Sequence, residues 1–428
     1  MPLAITTPSP PPLTPARARQ GPGASWSLRT TPGQFRVAAA VAATICALCA
    51  VLAATSVATR QGALDRAATE AGQLVDVQEA RTAAVEADAL AASSFLVGGQ
   101  QAAAQRPAYE SRLADATQQL AAVAAQASPA DLERLGPANG VLASYAGLVE
   151  QARANNRQGF PVGAAYQRQA SALLRTDYLP ALDDVLASTR DRLNDDLDDA
   201  SWASVLVVAA LVIGVVVLVA ASWLLGRRTR RIVNVPMAIG TVLSVIALVW
   251  AAYALATTGS DVRGSVDTSL RAVDAVSRAR TSAFDARSAE SLTLINRGNG
   301  AANEADWQLA DARVVAALDT ACDAAGVCLQ DTWSAYGADH RGVRSLDDGG
   351  NYDGAVEQAT AIGASGSAFV TFGDDAAQAQ QSEAAAVASA FADGRSALDL
   401  LRWFVLVAGL AAAGTVVVGF GQRLREYR

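Results

Sequence analysis

A chain of 428 residues that is 51% hydrophobic, with a mean hydropathy of +0.21, has more apolar surface than a soluble fold of that length requires, and the excess sits in blocks. The net charge of −7 is unevenly placed, with arginines beside the apolar blocks and acids in the long polar segments, which excludes a nucleic-acid surface. A single histidine, His340, excludes a histidine-based metal cluster or catalytic triad built from this chain alone, and no cofactor is expected.

Residues 1–35 are rich in Pro, Thr and Ser, with Pro10-Pro11-Pro12 and no hydrophobic period, and read as a disordered tail. Residues 36–58 form a first membrane helix, because about 20 apolar residues cross ~30 Å of hydrocarbon. Ser56-Val57-Ala58 resembles a signal cleavage site, but the long preceding tail and the helical pattern beyond it favour an uncleaved anchor. Ala38, Ala42, Cys46, Ala50 and Ala54 recur at every fourth position, a stripe that lets another helix approach closely. Cys46 and Cys49 read as small buried thiols.

Residues 59–201 are alanine-rich, with apolar residues at three- and four-residue spacing. The pattern predicts helices over about 60–97, 107–127, 130–156 and 163–201. Gly98-Gly99 stops the first, Pro107 starts the second and Ser128-Pro129 caps the third. Gly136-Pro137 interrupts the third, and the fourth contains Pro180. Loops this short predict an antiparallel four-helix bundle.

Residues 202–225 form the second membrane helix, with Trp202 and Trp223 at the headgroup levels. Residues 226–232, Gly-Arg-Arg-Thr-Arg-Arg-Ile, organise the topology. Arg227, Arg228, Arg230 and Arg231 form a positive cluster in a short loop, which stays cytoplasmic. Both termini then lie inside and both long polar segments outside. Residues 233–257 form the third span, with Pro236 harmless in its first turn. Residues 258–402 form a second polar segment, with helices over about 260–297, 303–324, 328–346 and 352–402. Residues 403–421 form the last span, with small residues Ala411, Thr415 and Gly419 four apart, and residues 422–428 a short tail.

The halves read as a duplication. Ala80-Arg81-Thr82-Ala83 returns as Ala279-Arg280-Thr281-Ser282, an acid follows each arginine at the same distance (Glu86, Asp285), and Ser144-Tyr145 matches Ala335-Tyr336. Both copies start and end inside, so they are related by an axis along the membrane normal. Cys322 and Cys328 flank the turn Ala325-Gly326-Val327 and are expected to form a disulfide in an outer compartment. Arg81, Glu86, Arg280, Asp285, Arg287 and Glu290 stand ~33 Å or more above the membrane, at 1.5 Å per residue, and are the candidate ligand- or partner-binding residues. They equally suit helix-face salt pairs, such as Arg287 with Glu290. His340 is expected to be an exposed helix-end residue.

A helical bundle whose outer helices continue into the membrane resembles chemoreceptor ligand-binding domains, although no signalling coiled coil follows. The doubling, the arginine turn and Ala289-Glu290-Ser291-Leu292-Thr293-Leu294-Ile295 are similar to an actinobacterial membrane sensor family encoded beside a glutamate/glutamine-binding lipoprotein and protein kinase G. That resemblance implies a solute-binding lipoprotein as the outer partner and a cytoplasmic Ser/Thr kinase as the inner one. All 34 basic residues are arginine, a bias of GC-rich bacterial coding.

The expected molecule is therefore an all-α protein of the bacterial plasma membrane with four transmembrane helices. Two tandem extracytoplasmic four-helix bundles continue from them, and a homodimer is compatible with this plan. The expected function is a non-enzymatic sensor or adaptor. A direct small-molecule receptor and a structural envelope subunit are the alternatives. An enzyme is the weakest class, because no catalytic constellation is present.

Overall fold

The computed structural model describes residues 31–96, 99–158, 162–229, 234–296, 300–362 and 367–425, and every element among them is helical. In chain order these are α1 Thr31–Leu96, α2 Gly99–Gln126, α3 Pro129–Leu135, α4 Ala138–Arg157, α5 Val162–Leu173, α6 Leu179–Thr229, α7 Val235–Ile295, α8 Ala301–Ala325, α9 Gln330–Asp348, α10 Tyr352–Ile362 and α11 Ala368–Arg425. The helices α1, α6, α7 and α11 have 66, 51, 61 and 58 residues, and each carries a stretch long and apolar enough to cross a membrane. No proline lies between the apolar and polar parts of α1, and Gly62 near their junction does not interrupt the helix, so one rod runs from the apolar layer into the polar segment. Trp202, Tyr253 and Trp403 stand exposed at one end of the apolar layer and Trp223 at the other. The Trp202–Trp223 spacing along α6 is about 30 Å at 1.5 Å per residue, the thickness of a bilayer core.

Several boundaries differ from the sequence expectation. Helix α2 begins at Gly99, and Pro107 lies inside it rather than at its start. Gly136-Pro137 does split the third helix into α3 and α4, and Ser128 caps α3, accepting from the Asp131 amide at 3.2 Å. Before Pro180 the chain widens into a π-turn over Leu174–Tyr178. Proline cannot donate to the carbonyl four residues back, and the wider turn accommodates that gap. The expected helix over 352–402 is instead two, α10 ending at Ile362 and α11 starting at Ala368, and residues 363–366 between them lie outside the described residues. Helix α6 runs on to Thr229, so Arg227 and Arg228 of the expected loop are helical. Arginine is a good helix former and complements the C-terminal end of the dipole. Residues 1–30, Arg230, Arg231 and 426–428 lie outside the described residues.

The helix pairings repeat between halves: α1 with α2 and α6 is matched by α7 with α8 and α11, and α4 with α5 by α9 with α10. Both polar segments lie on the same side of the apolar layer and pack on each other through α1–α7, α1–α11 and α6–α7. A single cluster of buried apolar side chains therefore runs through both, from Leu74 and Val77 in α1 to Val276 in α7 and Phe391 in α11. Helix α1 is apolar on several faces, Ala83, Ala84, Val85 and Ala87 all being buried, as a helix surrounded by others requires.

Within the apolar layer a second cluster joins all four long helices, including Cys46, Leu218, Met237 and Val416. Ala42, Cys46, Ala50 and Ala54 of the expected stripe are buried there, whereas Ala411 faces outward and the packed face of α11 is carried by Ala412, Thr415, Val416 and Gly419. Small residues permit this approach: a Cβ on Gly409 would lie 2.4 Å from Ala50 Cβ and 3.2 Å from Ala50 Cα. Gly409→Leu is expected to separate α1 from α11 and cost about 1–3 kcal/mol, read by thermal unfolding in detergent. Gly414→Leu, at a position with open space around its Cβ, should leave the melt unchanged.

The disulfide Cys322–Cys328 is present, with Cα atoms 4.6 Å apart. Helix α8 ends as the sequence implies, with Gly326 at φ +71° donating its amide to Cys322 O at 2.8 Å. Replacing both cysteines by serine is expected to cost about 2–3 kcal/mol, measured as a shift in the denaturant midpoint that reductant reproduces in the unmodified protein.

Candidate functional site

The six charged residues singled out from the sequence do not form one site. Arg81 pairs with Asp183 at 3.1 Å, where burial raises the Asp183 carboxyl and Arg81 offsets it. Glu86 accepts from Arg112 Nε at 2.9 Å; burial raises its carboxyl, and Arg112 and Arg280 pull it back. Arg280 reaches across the halves to Glu79 at 3.1 Å and to Gln380 in α11 at 2.7 Å. Asp285 accepts from Arg175 Nη2 at 2.6 Å. Only Arg287 and Glu290 are joined to each other, one helical turn apart and buried. Of the inner arginines, Arg227 lies over the Trp223 ring at 4.5 Å.

Two buried polar clusters emerge at equivalent levels of the halves. In the first, Asp88 of α1 is 0% exposed. It accepts from Ser171 Oγ at 2.7 Å and Arg175 Nη1 at 2.8 Å, and the Tyr145 hydroxyl stands 3.5 Å away. Burial opposes the charge on Arg175, but Asp88 and Asp285 outweigh it and raise its proton affinity above the ordinary arginine value. Burial likewise raises the Tyr145 hydroxyl well above its normal range and Tyr109 to about 12, so both stay neutral. Arg175 thus holds an acid from each half, Asp88 and Asp285, in one guanidinium fork.

In the second half the position aligned with Asp88 is Arg287, of opposite charge. Arg287 binds Glu290 and donates to Ala359 O of α10. Glu290 also accepts from His340 Nδ1 at 2.7 Å. His340 is 1% exposed, which overturns the expectation of an exposed helix-end residue: it lies within α9 on the face turned toward α7. Its ring stacks on Trp307 of α8 at 3.7 Å and 7°. Tyr336, aligned with Tyr145, is again fully buried and accepts from Trp307 Nε1 at 3.3 Å.

This cluster opens to the surface. Between α8 and α9 lies a cleft of about 760 Å³ whose walls include Glu304, Trp307, Trp333, His340 and Arg344. His340 Nε2 lies 3.3 Å and Arg344 Nε 3.4 Å from Glu304 Oε2, and among the described atoms Glu304 Oε2 and His340 Nε2 make no hydrogen bond. Apolar ring faces beside a carboxylate and a guanidinium can hold a small molecule carrying both charges. No group of His, Cys, Asp and Glu suited to a metal occurs among the described residues.

Sequence reasoning missed Asp88, Arg175, Glu304, Trp307 and the burial of His340. A signal for the first existed: the offset that superposes Arg81 on Arg280 and Glu86 on Asp285 also superposes Asp88 on Arg287. A charge that recurs inside an alanine-rich face points inward.

Residues 63–198 match the family model described as the actinobacterial sensor domain, a span running from the polar part of α1 to the polar part of α6. No curated protein and no solved structure matches the chain. The match supports a sensor role for a protein with four membrane-capable helices.

Proposed function

We propose that this chain is a non-enzymatic transmembrane sensor whose two polar segments face outward as tandem helical bundles and whose termini are cytoplasmic. The arginine cluster at the end of α6 and the disulfide at the tip of α8 support that orientation, the first because it resists translocation and the second because it needs an oxidising compartment. The outer partner is a solute-binding lipoprotein carrying an amino acid, and the inner partner is a Ser/Thr kinase; both rest on the family resemblance. The single observation that carries the reading is the continuity of α1, α6, α7 and α11 from the shared polar core into the apolar layer. A partner that favours one packing of that core moves the spans by a small piston or rotation. The shift can be no larger than the partner's differential affinity for the two packings.

The test is cross-linking of Ala42→Cys on α1 with Ala412→Cys on α11, in the full chain with Cys46 and Cys49 replaced by serine, in native membranes. The rate should change when the amino-acid-loaded lipoprotein is added. An unchanged rate with the lipoprotein bound would remove the relay.

The cleft between α8 and α9 favours a second reading, direct binding of a small zwitterion. Calorimetry of the full chain with single amino acids, without lipoprotein, separates the two. Heat that disappears in Arg344→Ala assigns the receptor role to this chain.

A further inference from the structure

A further cavity lies away from both buried clusters. It is a cleft of about 1280 Å³ where α1, α6 and α7 leave the apolar layer. Its lower wall is apolar, with Val205, Val208, Ala252 and Leu255, and it continues the exposed apolar faces of α6 and α7. Its upper wall is polar, with Arg60, Gln78, Arg190, Arg263 and Arg271 beside Asp267 and Asp274.

The charges there are not balanced evenly. Arg190 pairs with Asp274 at 3.3 Å, Arg271 with Asp267 at 2.7 Å and Arg263 with Asp198 at 2.5 Å. Arg60 differs from these three. It is 4% exposed, lies against Gly259, donates to the Ser204 hydroxyl, and has no carboxylate partner among the described residues. Its Nε–H makes no hydrogen bond. Burial lowers the Arg60 guanidinium below the ordinary arginine value, the mark of a cation whose desolvation is not offset. A buried, unpaired cation is costly, and such sites are met by an anion from outside the chain.

We propose that this cleft holds one membrane lipid with an anionic head group, the head on Arg60 and an acyl chain along Val205, Val208 and Leu255. The apolar lower wall selects an amphiphile over a free anion. The volume exceeds that of typical small-metabolite sites, roughly 300–1,000 Å³. Basic pockets between membrane helices are the sites where anionic head groups bind. A lipid wedged between α6 and α7 would bear on the two helices that join the halves through the membrane. The inference rests only on the four spans, not on the signalling reading, so either can fail without the other.

The test uses the full chain in nanodiscs of equal phosphatidylglycerol and phosphatidylcholine, released for native mass spectrometry. The wild type should retain one phosphatidylglycerol at least ~10-fold over phosphatidylcholine. Arg60→Gln should abolish the preference. Ala256→Trp, which fills the cleft from an exposed position, should abolish retention of either lipid while leaving the thermal melt intact. Equal retention of both lipids by the wild type, or an undiminished preference in both variants, would overturn the site. Displacement of the lipid by millimolar inorganic phosphate would overturn the lipid assignment.

Discussion

Arg175→Met is expected to destabilise the polar lobe by about 3–5 kcal/mol, the cost of leaving a buried carboxylate without its cation. Asp88 is wholly buried, and its other donors are one serine hydroxyl at 2.7 Å and a tyrosine at 3.5 Å, too few to replace a guanidinium. Asp285 on the other half loses the same partner, so the contact between halves weakens together with the core. Chemical unfolding in detergent, followed by circular dichroism, measures the loss. Asp88→Asn in the Arg175→Met background should recover much of it, because a neutral amide is far cheaper to bury than an unpaired charge. A loss under ~1 kcal/mol for Arg175→Met would mean that water reaches Asp88 and that the bridge does not hold the halves.

Glu290→Leu is the second large effect, again about 3–5 kcal/mol. It leaves the Arg287 guanidinium buried with only the Ala359 carbonyl, and it leaves His340 Nδ1 without an acceptor. The same pair on a solvated helix face would contribute roughly 0.2–0.5 kcal/mol, so the size of the loss distinguishes a core network from a surface pair. The double variant Arg287→Leu/Glu290→Leu removes both charges and should cost much less than Glu290→Leu alone. If the single and double variants lose the same amount, the two residues are not coupled and the cluster has another organisation. A change in the ring environment at Trp307, read by fluorescence, should accompany Glu290→Leu, since His340 is stacked on that indole.

Both results bear on how a signal could cross the lobe. The two halves bury opposite charges at aligned positions, Asp88 and Arg287, beneath aligned tyrosines. In the first half the network reaches across to Asp285, and in the second it reaches out to the cleft between α8 and α9. An occupant of that cleft would touch His340 and Glu304, within two contacts of Arg287 on α7, a helix that continues through the apolar layer. The two halves thus differ, one network reaching its neighbour and the other the surface.

The sequence alone determined the four membrane-capable helices, their continuity with the polar segments, the break at Gly136-Pro137, the cap at Ser128 and the disulfide. Each depends on the order of residues within a few turns: apolar run length, a missing breaker, a proline, two cysteines about a glycine. Tertiary structure decided which charges are buried. Arg287 and Glu290 have the same three-residue spacing whether they face water or α9 and α10, and nothing near them in the chain says which. Arg175 meets Asp88 and Asp285 only because α6 and its π-turn bring it between α1 and α7. His340 is buried because α9 turns it toward Glu290 and lays Trp307 of α8 over its ring. Burial of a charge is a property of the helices packed around it, and these lie far away in sequence.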